Sequence, residues 1–131
     1  MEQFIEKKTN PKQLSPQTLA FVGDGVYDLF VREYLVNQAN RPVGELNQLK
    51  VKLVNCQSQA KYAKMLMDDL TEEEVAVYKR GRNAYTSNTP KNSSSADYHS
   101  ATGLEALFGF LYLDNQIDRI KELFTKILSV E

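Results

Sequence analysis

Apolar residues recur at intervals of three and four along most of the chain, the spacing that gathers one face of an α-helix. Tryptophan is absent and glycine and proline are few, so helices are expected almost throughout, and the fold class is all-α. Ser15-Pro16 offers a capping hydroxyl followed by proline at the first helical position. This opens a helix over about residues 16–36, with Leu19, Val22, Val26, Leu29 and Phe30 on one face. A second helix is expected over about residues 43–67, with a break near Asn55. On its wheel Leu49, Leu53, Cys56, Ala60, Ala63 and Met67 form an apolar stripe, bordered by Lys50, Gln57, Lys61 and Lys64. Thr71 with Glu74 three residues on makes a capping box for a third helix through Val75, Val77 and Tyr78. TSNTPKNSSSAD, rich in Ser, Thr, Asn and Pro, reads as a loop. Ser94 with Asp97 can cap the helix beyond it, and a last amphipathic helix over about residues 116–128 turns Ile117, Ile120, Leu123, Phe124 and Ile127 inward.

One position breaks the apolar pattern. Glu105 is the only charged residue between Ala101 and Leu113, in ATGLEALFGFLYL. An ionised carboxylate stripped of water costs several kcal/mol, so this one needs a cation nearby, either a lysine or arginine or a metal ion. Asp24 stands between two glycines in FVGDGVYD, mid-way along the first long helix. Interior glycines cost on the order of 1 kcal/mol each relative to alanine, and the usual compensation is close approach of a backbone or a ligand. Gly109 lies four residues after Glu105 on the same face, so the two helices are expected to cross at Gly23, Gly25 and Gly109 and bring Asp24 and Glu105 together. Asp24 falls with Gln17 and Asp28 off the apolar face, and Glu105 falls with Tyr98, Thr102 and Gly109 on the stripe of its helix that is not bulky. Carboxylate oxygens on a rigid scaffold, completed by water and substrate phosphate, suit magnesium. The competing reading pairs Glu105 with a basic side chain and leaves Asp24 solvated. Asp28 precedes Arg32 by four residues, the spacing of a helical ion pair.

At 131 residues the chain is most simply one domain, residues 1–131, with residues 1–13 as an N-terminal extension. The single cysteine, Cys56, excludes a disulfide framework and a multi-cysteine zinc site, and reads as a small hydrophobe. The one histidine, His99, reads as a surface or capping residue rather than a general base. No basic-then-apolar leader opens the chain and no apolar run reaches the roughly 18 to 20 residues of a membrane span, so a cytoplasmic protein is expected.

A net charge of −1 argues against a nucleic-acid binder, but its distribution does not. Lys79, Arg80, Arg82 and Lys91 follow one another without an acid, while Asp68, Asp69, Glu72, Glu73 and Glu74 gather elsewhere, as in a polyanion-binding face with an acidic back. Lys79, Arg80, Arg82 and Asn83 open a polar segment that Lys91 and Asn92 continue, with Gly81 allowing the backbone to turn. This is chemistry suited to phosphates and 2′-hydroxyls across a wide minor groove. Lys50, Lys61 and Lys64 are further candidates for the same face, and Tyr85 and Tyr98 suit either stacking near the groove or ordinary packing.

LAFVGDGVYDLFVREYL closely resembles the signature helix of the ribonuclease III family, and TGLEALFGFLYL resembles its second catalytic helix. EEEVAVYKRGRNA, the TPKN of the loop and the lack of a following double-stranded RNA-binding domain resemble its small Mini-III branch. The resemblance spans residues 14–128. It implies a homodimeric helical bundle of the endonuclease-domain type that cuts double-stranded RNA, leaving 5′-phosphate and 3′-hydroxyl ends. Magnesium, or manganese in its place, would be the metal. The natural substrate would be a structured precursor of large-subunit (23S) ribosomal RNA, and a ribosomal protein enters as a possible accessory partner. The family's signature aspartate falls on Asp24, its second-helix glutamate on Glu105, and the aromatic that inserts into the partner subunit on Phe21. The larger enzymes carry further acids where this chain has Gln17, Ala20 and Thr102, so the metal shell here leans on water and hydroxyls. Rival readings are a non-catalytic dimeric RNA-binding module on the same fold and a helical interaction protein with no RNA role.

Overall fold

Helix α5 (Ser95–Leu113) is the axis around which the other elements pack, in a computed structural model that describes residues 3–84 and 94–131. Leu104, Leu107, Phe108, Phe110 and Leu111 are almost wholly buried on different sides of it, as expected of a helix surrounded by others. Its neighbours are α1 (Pro16–Gln38), α3 (Cys56–Leu66), α4 (Glu72–Arg82) and α6 (Ile117–Leu128), while α2 (Val43–Val54) covers α1. The described residues contain no strand, so the all-α expectation holds. None of their helices is long and apolar enough to cross a membrane.

The caps read from the sequence are in place. Ser15 and Ser94 accept from the backbone N–H three residues on, at 3.2 and 3.0 Å. Thr71 and Glu74 form the reciprocal box, with both bonds present. Asn55 divides the expected second helix in two. Its side-chain oxygen accepts from Ser58 N at 2.8 Å to start α3, and its amide donates to Val51 O at 3.0 Å to close α2.

Three expectations about faces are corrected. Leu29 is 43% exposed and Val22 and Phe30 are only half-buried; Leu19 and Val26 are buried as expected, joined by Gly23, Tyr27, Val31 and Leu35. Restarting the helix at Cys56 shifts its phase, so α3 buries Gln59, Tyr62, Ala63 and Leu66, while Cys56, Ala60 and Met67 are only half-buried. Gly81 is no turn. It lies on the buried side of α4, where an added Cβ would sit 2.6 Å from Ala106 Cβ and 3.0 Å from Gly103 Cα.

Of the acidic cluster, Asp68, Asp69, Glu72 and Glu73 are exposed and Glu74 alone is buried. Glu74 is 4% exposed and takes two hydrogen bonds at 2.9 Å from the Arg119 guanidinium, which ties α4 to α6. Asp69 pairs with Lys126 at 3.1 Å and Glu73 with Lys12 at 3.5 Å. In the N-terminal segment, the Gln3 amide donates to Leu113 O at 2.7 Å and to Tyr112 O at 3.2 Å, tying this segment to the end of α5.

Candidate active site

Two glycines bring the two acids together. A Cβ on Gly23 would overlap the carbonyl oxygen of Glu105, and a Cβ on Gly109 would overlap that of Leu19. The backbones of α1 and α5 therefore touch with no side chain between them. Asp24 follows Gly23 directly, so its carboxylate and that of Glu105 leave the crossing on the same side. With Gln17, Ala20, Phe21, Ala84, Tyr98 and Thr102 they line a cavity of about 240 Å³. The stripe of Tyr98, Thr102 and Glu105 read from the helical wheel is its α5 wall. Gly25 is no part of the crossing. Nothing lies within 4 Å of its would-be Cβ, and it lines a separate apolar depression with Phe4, Val22, Leu29 and Tyr112.

Glu105 is held far from its ordinary ionisation. Burial, then the negative charge of Asp24, then a hydrogen bond shared with Asp24 push its carboxyl up to about 8, against a smaller opposing contribution from Gln59. Two carboxylates brought this close in a partly dry cleft repel each other unless a proton or a cation lies between them. Among the described residues no lysine or arginine forms an ion pair with either acid. The donor set, two carboxylates with room for water and phosphate oxygens, fits a small hard cation. It is also sparse: no group of three or more His, Cys, Asp or Glu side chains suited to metal binding occurs among the described residues. Thr102, where an acid was expected in larger relatives, spends its hydroxyl proton on Tyr98 O at 3.0 Å.

Gln59 was missed from the sequence. It is 3% exposed, and its amide donates to Val54 O at 2.9 Å and to Glu105 Oε2 at 3.4 Å, while its own Oε1 has no hydrogen-bond partner among the described residues. The only sequence signal was its place on α3, and the phase shift at Asn55 disguised that.

Phe21 is 82% exposed at the rim of the same cavity. Among the basic candidates, Arg82, Lys61 and Lys64 line a neighbouring cleft of about 540 Å³ with Gln57, Tyr78, Asp97 and Ser100. The Arg82 guanidinium sits 5.8 Å from the centre of the Tyr78 ring and donates to Asn83 Oδ1 at 3.2 Å. Lys79 and Arg80 stand in the last turn of α4, where the helix dipole favours cations, and Arg80 donates to Leu14 O at 3.2 Å. Lys61 reaches Glu131 at 3.5 Å. Lys50 is placed apart from these, 3.7 Å from Asp28, whose other oxygen binds Arg32 at 2.6 Å as the helical spacing implied. Lys91, Asn92 and Tyr85 lie outside the described residues, as does all of the 86–96 loop before Ser94. His99 does not line the cavity; it is half-buried against the Tyr98 ring, with no hydrogen-bond partner for Nδ1 among the described residues.

The ribonuclease III domain profile matches residues 17–116. The Mini-ribonuclease 3 of a Thermoanaerobacter species is 44% identical over 118 residues, covering 90% of this chain and 82% of that protein. The Mini-ribonuclease 3 of Staphylococcus aureus is 38% identical over 121 residues, with 91% and 90% covered. A crystal structure of a Fusobacterium nucleatum protein superposes with a TM-score of 0.85 at 28% identity, covering 92% of this chain and 99% of that one.

Proposed function

The chain belongs to the ribonuclease III family, within its Mini-ribonuclease 3 branch, and from this premise we propose how its residues divide the work of cutting double-stranded RNA. The protein is a metal-dependent endoribonuclease. Asp24 and Glu105 hold the cation, which is magnesium, with manganese able to replace it. The observation that carries this reading is the pair of facing carboxylates at the Gly23–Gly109 crossing with no basic partner among the described residues. Bound there, the cation supplies a water of lowered pKa and stabilises negative charge on a phosphoryl oxygen. The chain's own part is to keep both acids on rigid helices, so that their separation does not depend on a loop. Products carry 5′-phosphate and 3′-hydroxyl ends.

Duplex RNA is held by the catalytic domain itself. Arg82, Lys61 and Lys64 share one cleft, and Lys79, Arg80 and Asn83 stand at the adjoining end of α4; Lys91 and Asn92 extend the same chemistry along the loop. Phosphate contacts of this kind fix register without reading sequence. The natural substrate is a stem in a precursor of large-subunit ribosomal RNA, with a ribosomal protein as accessory partner. Phe21, an exposed aromatic beside the cavity, inserts into a second copy of the chain, and the resulting dimer sets two sites on opposite strands. A labelled duplex incubated with the protein tests the reading: cleavage on adding magnesium, abolished by chelator, supports it. Binding without cleavage in magnesium or manganese would leave a non-catalytic RNA-binding module instead.

A further inference from the structure

We infer that Gln59 is a positioning residue for the active site: its amide fixes which oxygen of Glu105 is turned away from the metal-binding cavity. The inference rests on Glu105 holding the cation, as proposed above.

The argument begins with an oddity of burial. Gln59 is 3% exposed, in a helix face otherwise made of Tyr62, Ala63 and Leu66, and burying an amide there is unfavourable unless its hydrogen bonds are made. Only half of them are. Both bonds are donations from Nε2, to Val54 O at 2.9 Å and Glu105 Oε2 at 3.4 Å, and the buried Oε1 has no partner among the described residues. A side chain kept for packing would be better served by leucine or methionine. A side chain kept to pin α3 to α2 would need only the bond to Val54. The donation to Glu105 accounts for the orientation as well, because flipping the amide would set its oxygen against the Val54 carbonyl, which has no proton to offer, and would leave the Glu105 carboxylate without this donor when a cation is bound.

The bond has a geometric effect. Glutamate has three rotatable side-chain bonds, and an unrestrained carboxylate presents either oxygen in many directions. With Oε2 tethered, the other oxygen is the one available on the side of Asp24 and the cavity. The tether is itself anchored. Val54 is the last residue of α2, and Asn55 locks the α2–α3 junction through its bonds to Val51 O and Ser58 N. Gln59 thus relays a rigid joint in the fold to one of only two metal-holding acids. Hydrogen-bond partners of metal ligands typically influence metal affinity or activity by 10–100-fold, and in a site with so few protein ligands the effect falls on a large share of the total.

The test is direct binding of Mn2+, followed by its paramagnetic signal or by calorimetry, to the wild-type protein, Gln59→Met and Glu105→Gln, without RNA. Gln59→Met keeps the size of the side chain and removes the donor. It is expected to weaken Mn2+ binding by about tenfold or more, with KM for duplex RNA unchanged at saturating metal and kcat recovered as magnesium is raised. A merely structural clip between α2 and α3 predicts a lower melting temperature with wild-type Mn2+ affinity, and that result overturns the inference. If Glu105→Gln binds Mn2+ like the wild type, the metal assignment itself has failed. If Glu105→Gln loses Mn2+ while Gln59→Met keeps it, only the role of Gln59 has failed. Should Gln59→Met not fold, Gln59→Asn carries the same expectation, because a 3.4 Å bond leaves no slack for losing a methylene.

Discussion

The backbone of Gly23 rests against the carbonyl oxygen of Glu105, with no room between them for a methyl group. The proposed active site depends on this contact, because it sets how far apart the carboxylates of Asp24 and Glu105 can be.

Gly23→Ala should therefore force α1 and α5 apart. Overpacking in a filled core typically costs about 1–3 kcal/mol, and here the obstacle is backbone, which cannot rotate aside, so the upper end is expected together with loss of cleavage. Gly25→Ala is the control. Its added carbon meets nothing within 4 Å, and alanine gains about 0.5–1 kcal/mol over glycine in a helix interior. Denaturant unfolding of the two variants should give opposite signs.

The charge state of Glu105 predicts a pH dependence for the metal-free protein. Its carboxyl is raised from 4.5 to about 8, by burial first and by Asp24 second. The folded state therefore keeps a proton that the unfolded chain releases, and stability from this group is full below about pH 4.5 and is lost as pH rises through about 8. Melting temperatures measured in chelator should fall across that window. Glu105→Gln, which cannot ionise, should remove this part of the slope.

Arg119→Leu should destabilise by about 3–5 kcal/mol, because it leaves the buried Glu74 carboxylate without its cation. Burial alone would raise the Glu74 carboxyl, but the Arg119 hydrogen bonds, followed by those of Thr71, hold it below its ordinary value. The stability from this group is thus present above about pH 4.5 and disappears as pH falls through the lowered value, the reverse of Glu105. Thermal melts of the variant at pH 7 and pH 4 check both statements.

Salt dependence separates the basic residues. Replacing Arg82, Lys61 or Lys64 by alanine should weaken duplex binding at every sequence alike and lower the slope of log affinity against log salt by about 1 each. Lys50→Ala should have the smallest effect of the set, since Lys50 lies outside the cleft lined by Arg82, Lys61 and Lys64 and faces Asp28 at 3.7 Å.

Much of this was legible in the sequence because local chemistry announces helix ends. Ser15-Pro16, the Thr71–Glu74 box, Asn55 and Ser94 each satisfy backbone groups within a few residues, so tertiary contacts were not needed to place them. Glu105 was legible for the opposite reason, as the one charge between Ala101 and Leu113. What stayed hidden depended on helix phase and partners. Gly23 and Gly25 lie two positions apart, on nearly opposite sides of α1, and composition cannot say which one meets α5. Gly81 sits among basic residues and reads as a turn, yet it serves the α4–α5 contact with Gly103 and Ala106. Gln59 carried no signal of its own in the sequence, and only the helix restart at Asn55 turns it into the core.

The central claim is that Asp24 and Glu105 form the metal-holding site for RNA cleavage, and the most direct measurement is the rate at which Glu105→Gln cuts a labelled duplex in magnesium, read beside its affinity for the same duplex. The variant should bind RNA as the wild type does and cut it at least about 100-fold more slowly, a barrier increase of about 3 kcal/mol. Cleavage at the wild-type rate by a folded Glu105→Gln protein would contradict the assignment.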